Sequence, residues 1–132
     1  MTNKEKIDAI NARCNFNIHN GIKVVELDED FCAVEAELCD NSMNPWGMAH
    51  GGIVYSVCDV AAGVVVSQTE RRGVTQSGTV YYLRPSTGSK IRAEGKIIKN
   101  GRTVVLVETN VYNDEGVHTA RGEFQIYIVD AK

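Results

Sequence analysis

The sequence predicts an α+β fold in which an antiparallel sheet of about five to six strands curls around one long central helix. Three observations lead there. The run 50–68 is apolar and free of proline, with Ile53, Val54, Val57, Val60, Ala61, Val64 and Val65 at helical spacing. Strand-like runs lie on both sides of it, and residues 32–38 alternate cleanly, Cys32, Val34, Ala36 and Leu38 against Ala33, Glu35 and Glu37. Asn100-Gly101 and Asp114-Glu115-Gly116 then supply hairpin signals, because their backbones tolerate positive φ. One helix bounded by strands before and after it must bury itself against their sheet.

In chain order, residues 4–14 place Ile7, Ile10 and Cys14 three and four apart, predicting a short N-terminal helix. Strands are expected at 22–27 and 32–38, joined by a turn at Asp28-Glu29-Asp30, with a loop over 40–49. The β-branched valines of the long run weaken its helix propensity, but its length and spacing outweigh them. Four further strands follow at 74–83, 91–98, 103–112 and 117–129. No repeat or linker divides the 132 residues, so residues 1–132 read as a single domain.

A net charge of −3 argues against nucleic acid as a partner, since phosphate binding needs a basic surplus. No apolar run reaches the eighteen or so residues of a membrane span, and the start, Met-Thr-Asn-Lys-Glu-Lys, lacks a signal-peptide core. Cys14, Cys32, Cys39 and Cys58 form no CxxC and have no paired histidines, so no metal site is expected. The expectation is a cytoplasmic protein with reduced thiols, without membrane or nucleic-acid partners.

Asp59 is the most informative residue, lying in the most apolar part of the long helix. A carboxylate there is either on an exposed edge, paired with an arginine, or kept for chemistry. Gly52, Tyr55, Ser56, Asp59 and Gly63 share one face, smaller and more polar than the valine side, and leave room for a ligand or a partner helix. At the helix start, His50-Gly51-Gly52 exposes backbone amides at the positive end of the dipole, an arrangement able to polarise a carbonyl. Taken singly, Asn44 reads as a turn former, Trp46 as packing, and His19 and His118 as surface residues. Cys58 has no base beside it and reads as a buried hydrophobe.

Together, Asn44, then Gly47-Met-Ala-His50-Gly51-Gly52, then Asp59 nine residues after the histidine resemble the phenylacetyl-CoA thioesterase-like (PaaI-like) branch of the hotdog superfamily. Val74-Thr75-Gln-Ser77 leading into Tyr82-Leu83-Arg84-Pro85 extends the likeness, which runs from about Gly21 to Val129. The resemblance implies an acyl-CoA thioester hydrolase that needs no cofactor, assembled as a homodimer and commonly as a dimer-of-dimers tetramer. It implies Asp59 as general base or nucleophile, the Gly51 amide polarising the carbonyl, Asn44 placing water or thioester, and His50 orienting the loop. Thr75 or Ser77 would assist. Arg84, Lys90, Lys99 and Arg102 are the cations available to CoA phosphates, and Trp46, Tyr55, Tyr81 and Tyr82 could shape the acyl pocket.

Gly51 and Asp59 are eight residues apart, about 12 Å along a helix. A reacting carbon must lie roughly 3 Å from both the attacking group and the oxyanion donor. One chain therefore cannot supply both, whereas two antiparallel helices about a two-fold axis would form two equivalent shared sites. Two other activities compete with hydrolysis. A non-catalytic acyl-CoA-binding sensor would explain the pocket but not an acid opposite the glycine amides. An acyl-thioester dehydratase or hydratase needs a second histidine that the sequence does not offer.

Overall fold

The computed structural model describes residues 1–130. Helix α1 spans Asn3–Arg13 and opens with a capping box: the Thr2 hydroxyl accepts from the Glu5 N–H at 3.1 Å, and the Glu5 carboxylate accepts from the Thr2 N–H at 3.0 Å. Its Ile7 and Ile10 lean on the core. A five-residue helix, α2 (Asn15–His19), follows, too short to show a helical period in the sequence. Strands β1 (Ile22–Leu27) and β2 (Phe31–Glu37) precede the long helix α3 (Gly51–Ser67). Strands β3 (Gly73–Tyr82), β4 (Lys90–Asn100), β5 (Val104–Asn113) and β6 (His118–Ile128) follow it.

The six strands form one antiparallel sheet in the order β1-β2-β4-β5-β6-β3. Alternation sets its inner face: Ile91 and Ala93, Val105, Val107 and Val111, and Phe124, Ile126 and Ile128 are all buried. The register brings them level, with Ala93 opposite Val111 and Val107 opposite Phe124. Against this face α3 buries Ile53, Val54, Val57, Cys58, Ala61, Ala62, Val64, Val65 and Val66, and it touches every strand. That burial overrides the poor helix propensity of the valines, because packing supplies most helical stability in a folded protein. At Gly95 of β4 the helix backbone itself comes close, and a Cβ there would lie 3.0 Å from the Ala61 carbonyl oxygen. Only a glycine lets the helix backbone rest directly on that strand.

The two sheet edges differ. Along β1, the Asn11 side chain accepts from the Val24 N–H at 2.9 Å and donates to the Val24 carbonyl at 3.0 Å, while Asn3 donates to the Leu27 carbonyl at 2.9 Å. Helix α1 thus occupies that edge with side-chain amides in place of a further strand. At the other edge β3 pairs with β6 alone and is almost entirely exposed, including Val74, Tyr81 and Tyr82.

Candidate active site

The loop before α3 is held by Asn44. Its Oδ1 accepts from the Trp46 N–H at 2.9 Å and the Met48 N–H at 3.1 Å, and its own N–H donates to the Met48 carbonyl at 2.7 Å. Gly47 takes the left-handed conformation that this tight turn requires, with φ 78°. Two backbone donors on one amide atom fix it as the oxygen, and the Asn44 NH2 has no partner among the described residues. His50 then caps α3: its Nδ1 accepts from the Gly52 N–H at 2.8 Å, which requires a neutral ring with the proton on Nε2. The His50 carbonyl accepts from the N–H groups of Ile53 and Val54.

Every amide of this first turn is therefore occupied except that of Gly51, which has no partner among the described residues. Asn44 and Gly51 line one pocket of about 380 Å3, together with Met48, Val54, Tyr82 and Arg84. A free amide at a helix N-terminus beside a free side-chain NH2 suits a carbonyl oxygen gaining negative charge.

Asp59 lies two turns further on, about 12 Å along the axis. It is partly exposed, on the same open face as Gly52, Ser56 and Gly63, and makes no ion pair with an arginine among the described residues. The Thr75 hydroxyl donates to Asp59 Oδ1 at 2.5 Å. A bulge separates Thr75 from Ser77, so Thr75 stands opposite Ile126 on the inner face and Ser77 opposite Gln125 on the outer one. The chain thus brings Asn44 to Gly51 and Thr75 to Asp59, but keeps the two pairs apart. Ser77 joins neither.

Of the four cations considered for CoA, only Arg84 lines the Asn44–Gly51 pocket, its guanidinium donating to the His118 carbonyl at 2.9 Å. Lys90 lies 3.5 Å from Glu35, Lys99 is exposed near the end of β4, and Arg102 sits in the β4–β5 hairpin. Among the aromatics Tyr82 lines the pocket, whereas Tyr55 stands edge-on to Phe124 at 5.4 Å. Tyr81 faces outward, opposite Arg121. Trp46, read from sequence as packing, is instead 77% exposed, because the Asn44 turn projects it away from the protomer. His118 is half-buried rather than on the surface, stacked on Tyr112 and bonded to Asn110. Cys58 is fully buried, and burial pushes its thiol up to about 11, which removes it as a nucleophile.

Sequence reasoning missed the hydroxyl of Tyr82, which donates to the Gly51 carbonyl at 2.8 Å across 31 residues. Nothing in a tyrosine among strand residues signals so distant a partner. The pair of hydrogen bonds between Asn11 and the Val24 backbone was equally hidden.

The family model described as "Thioesterase superfamily" matches residues 47–120, more than half the chain and the stretch holding Gly51, Asp59 and Thr75. The chain belongs to the thioesterase superfamily. Within this superfamily it is a PaaI-like, hotdog-fold member. It is 26% identical over 123 residues to the medium/long-chain acyl-CoA thioesterase YigI of Escherichia coli, covering 80% of this chain and 79% of that one. The E. coli PaaI protein from the phenylacetic acid degradation operon shares the fold with a TM-score of 0.90 at 18% identity, over 98% of this chain and 94% of that one. A Streptococcus mutans protein solved with acetyl-CoA superposes with a TM-score of 0.78 at 26% identity, covering 84% and 90%. Thioesterase activity on acyl-CoA is thus the activity of the family to which this chain belongs.

Proposed function

We propose that this thioesterase-superfamily member hydrolyses acyl-CoA thioesters at two equivalent sites of a homodimer, each joining Asn44 and Gly51 of one protomer to Asp59 and Thr75 of the other. One observation carries the reading: among the described residues the Gly51 N–H is the one amide of the helix start without a partner, and Gly51 lines the same pocket as Asn44. The Asp59 carboxylate removes a proton from water as that water attacks the thioester carbon. Gly51 and Asn44 hold the developing oxyanion, the C–S bond breaks, and the CoA sulfur leaves and takes up a proton. Direct attack by Asp59 would instead pass through a mixed anhydride that water then hydrolyses.

Assembly follows from the same geometry. The exposed strip of α3 around Asp59 and the uncovered edge of β3 adjoin, while Asn11 and Asn3 close the β1 edge. A two-fold axis at β3 pairs two edges that would otherwise stay open, and it lays the two α3 helices antiparallel. His50 has its Nδ1 committed to the cap, which counts against the dehydratase alternative.

The test is thiol release from acetyl-, hexanoyl-, lauroyl- and phenylacetyl-CoA by the wild type and by Asp59→Asn. Turnover of at least one thioester is expected, with preference among the longer acyl groups if the chain resembles YigI in substrate as well as sequence. Thermal stabilisation by these thioesters without any thiol release would identify a sensor instead.

A further inference from the structure

The peptide between Gly51 and Gly52 is gripped at both ends. Its carbonyl accepts from the Tyr82 hydroxyl at 2.8 Å, and its N–H donates to His50 Nδ1 at 2.8 Å. Two consecutive glycines would otherwise form the softest backbone in the loop-to-helix transition. The Tyr82 ring also covers Gly51: a Cβ there would meet Tyr82 ring and hydroxyl atoms at 3.5–3.6 Å. Tyr82 is the last residue of β3, so the bond ties the start of α3 to the far end of the edge strand. Burial holds its hydroxyl above the ordinary phenol range, keeping it a donor.

We propose that Tyr82 is a positioning residue: it clamps the Gly51–Gly52 peptide, which is joined through the Gly51 Cα to the His50–Gly51 peptide carrying the Gly51 N–H, and so fixes on that side the direction in which this amide meets the thioester oxygen. This inference rests on the assignment of that amide as the oxyanion donor. Aiming matters because an oxyanion donor acts only if its direction is set before charge develops. A donor that must find its direction during the reaction lowers kcat, whereas ground-state binding, spread over the whole CoA thioester, changes little. The hydroxyl and the His50 cap divide the task between the two ends of one peptide plane.

The test is Tyr82→Phe, which keeps the ring over Gly51 and removes only the bond. The substrate is whichever of the four acyl-CoA probes the wild type turns over fastest. Gly51→Pro is run alongside. Gly51 is the first residue of α3 and follows His50 at φ −61°, ψ 139°, a backbone that accepts proline, which replaces the N–H with a ring carbon. Expected are a fall of about tenfold in kcat for Tyr82→Phe with KM within about twofold, an unchanged melting temperature, and loss of activity in Gly51→Pro. Wild-type kcat in Tyr82→Phe beside an inactive Gly51→Pro would overturn the clamp and leave the oxyanion assignment standing. A fall expressed in KM alone would make Tyr82 a substrate contact and overturn positioning. A Gly51→Pro enzyme with wild-type activity, or a wild type inert on all four thioesters, would remove the oxyanion assignment and this inference with it. Tyr81→Phe, on the outer face, serves as the control for loss of a β3 hydroxyl.

Discussion

The Thr75 hydroxyl and Asp59 Oδ1 meet at 2.5 Å, joining β3 to the open face of α3. A hydrogen bond to a charged acceptor is worth about 1.5–3 kcal/mol, so this contact fixes the carboxylate's direction. Asp59→Asn is expected to lower kcat by about 10²–10⁴-fold with the fold intact. Thr75→Ala is expected to lower it by about tenfold, whereas Ser77→Ala, on the opposite side of the sheet, leaves it unchanged. Steady-state thiol release gives all three values, and a Ser77→Ala defect matching that of Thr75→Ala would overturn the assignment.

Shared sites make a prediction that independent sites cannot. A heterodimer of Asp59→Asn and Gly51→Pro protomers holds one fully wild-type site and one doubly defective site. Random mixing of two inactive variants, by co-expression or refolding, should restore about one quarter of wild-type activity. If the mixture stays inactive although mass spectrometry shows exchanged subunits, each protomer must carry its own complete site.

The His50 cap is testable apart from activity. Replacing an N-cap acceptor by alanine costs about 1 kcal/mol, so His50→Ala should melt about 3–5 °C lower than wild type. His50→Asn and His50→Ser, which can still accept from the Gly52 N–H, should recover most of that loss. Equal melting temperatures in all three variants would show that the cap contributes nothing to stability.

The buried thiols set an alkaline limit. Burial raises Cys32 to about 12 and Cys58 to about 11, against 9.0 for an ordinary thiol, so the folded chain holds these protons more tightly than the unfolded one. Stability is therefore whole below about pH 9 and falls above it, by up to about 1.4 kcal/mol per pH unit for each thiol, until the folded values are reached. Urea midpoints between pH 8 and pH 11 should show this decline. Replacing both cysteines with alanine should flatten it, even though the variant starts less stable.

Packing at Gly95 gives a further stability test. A methyl group there meets the Ala61 backbone at 3.0–3.2 Å, and a helix spine cannot yield as a side chain can. Gly95→Ala is expected to cost about 1–3 kcal/mol, read as a lower urea midpoint with unchanged slope.

Much of this was legible in the sequence, for definite reasons. The valine run announced α3 because its spacing is helical whatever its propensity, and the hairpin residues located β4, β5 and β6 within a few positions. Asp59 and Gly51 stood out because a carboxylate in an apolar run and paired glycines before a helix are both locally anomalous. Other features depend on chain brought together from far away. Thr75 and Ser77 could not be told apart, since one bulged residue decides which of them faces the helix. The edge strand β3 carried no warning that nearly all of it would stand exposed, and α2 is too short to show a period. Tyr82 reaches Gly51 only because the sheet order sends β3 back beside the helix start.

The asparagine on α1 that satisfies both backbone groups of Val24 has a consequence for the whole particle. In the proposed dimer a two-fold contact at β3 consumes one sticky border per chain and then stops. Were Asn11 and Asn3 unable to occupy the other border, each chain would carry two self-complementary seams, and copies could add end to end without limit. In that assembly the two amides act as terminators: they let the sheet join once at β3 instead of growing into a fibre.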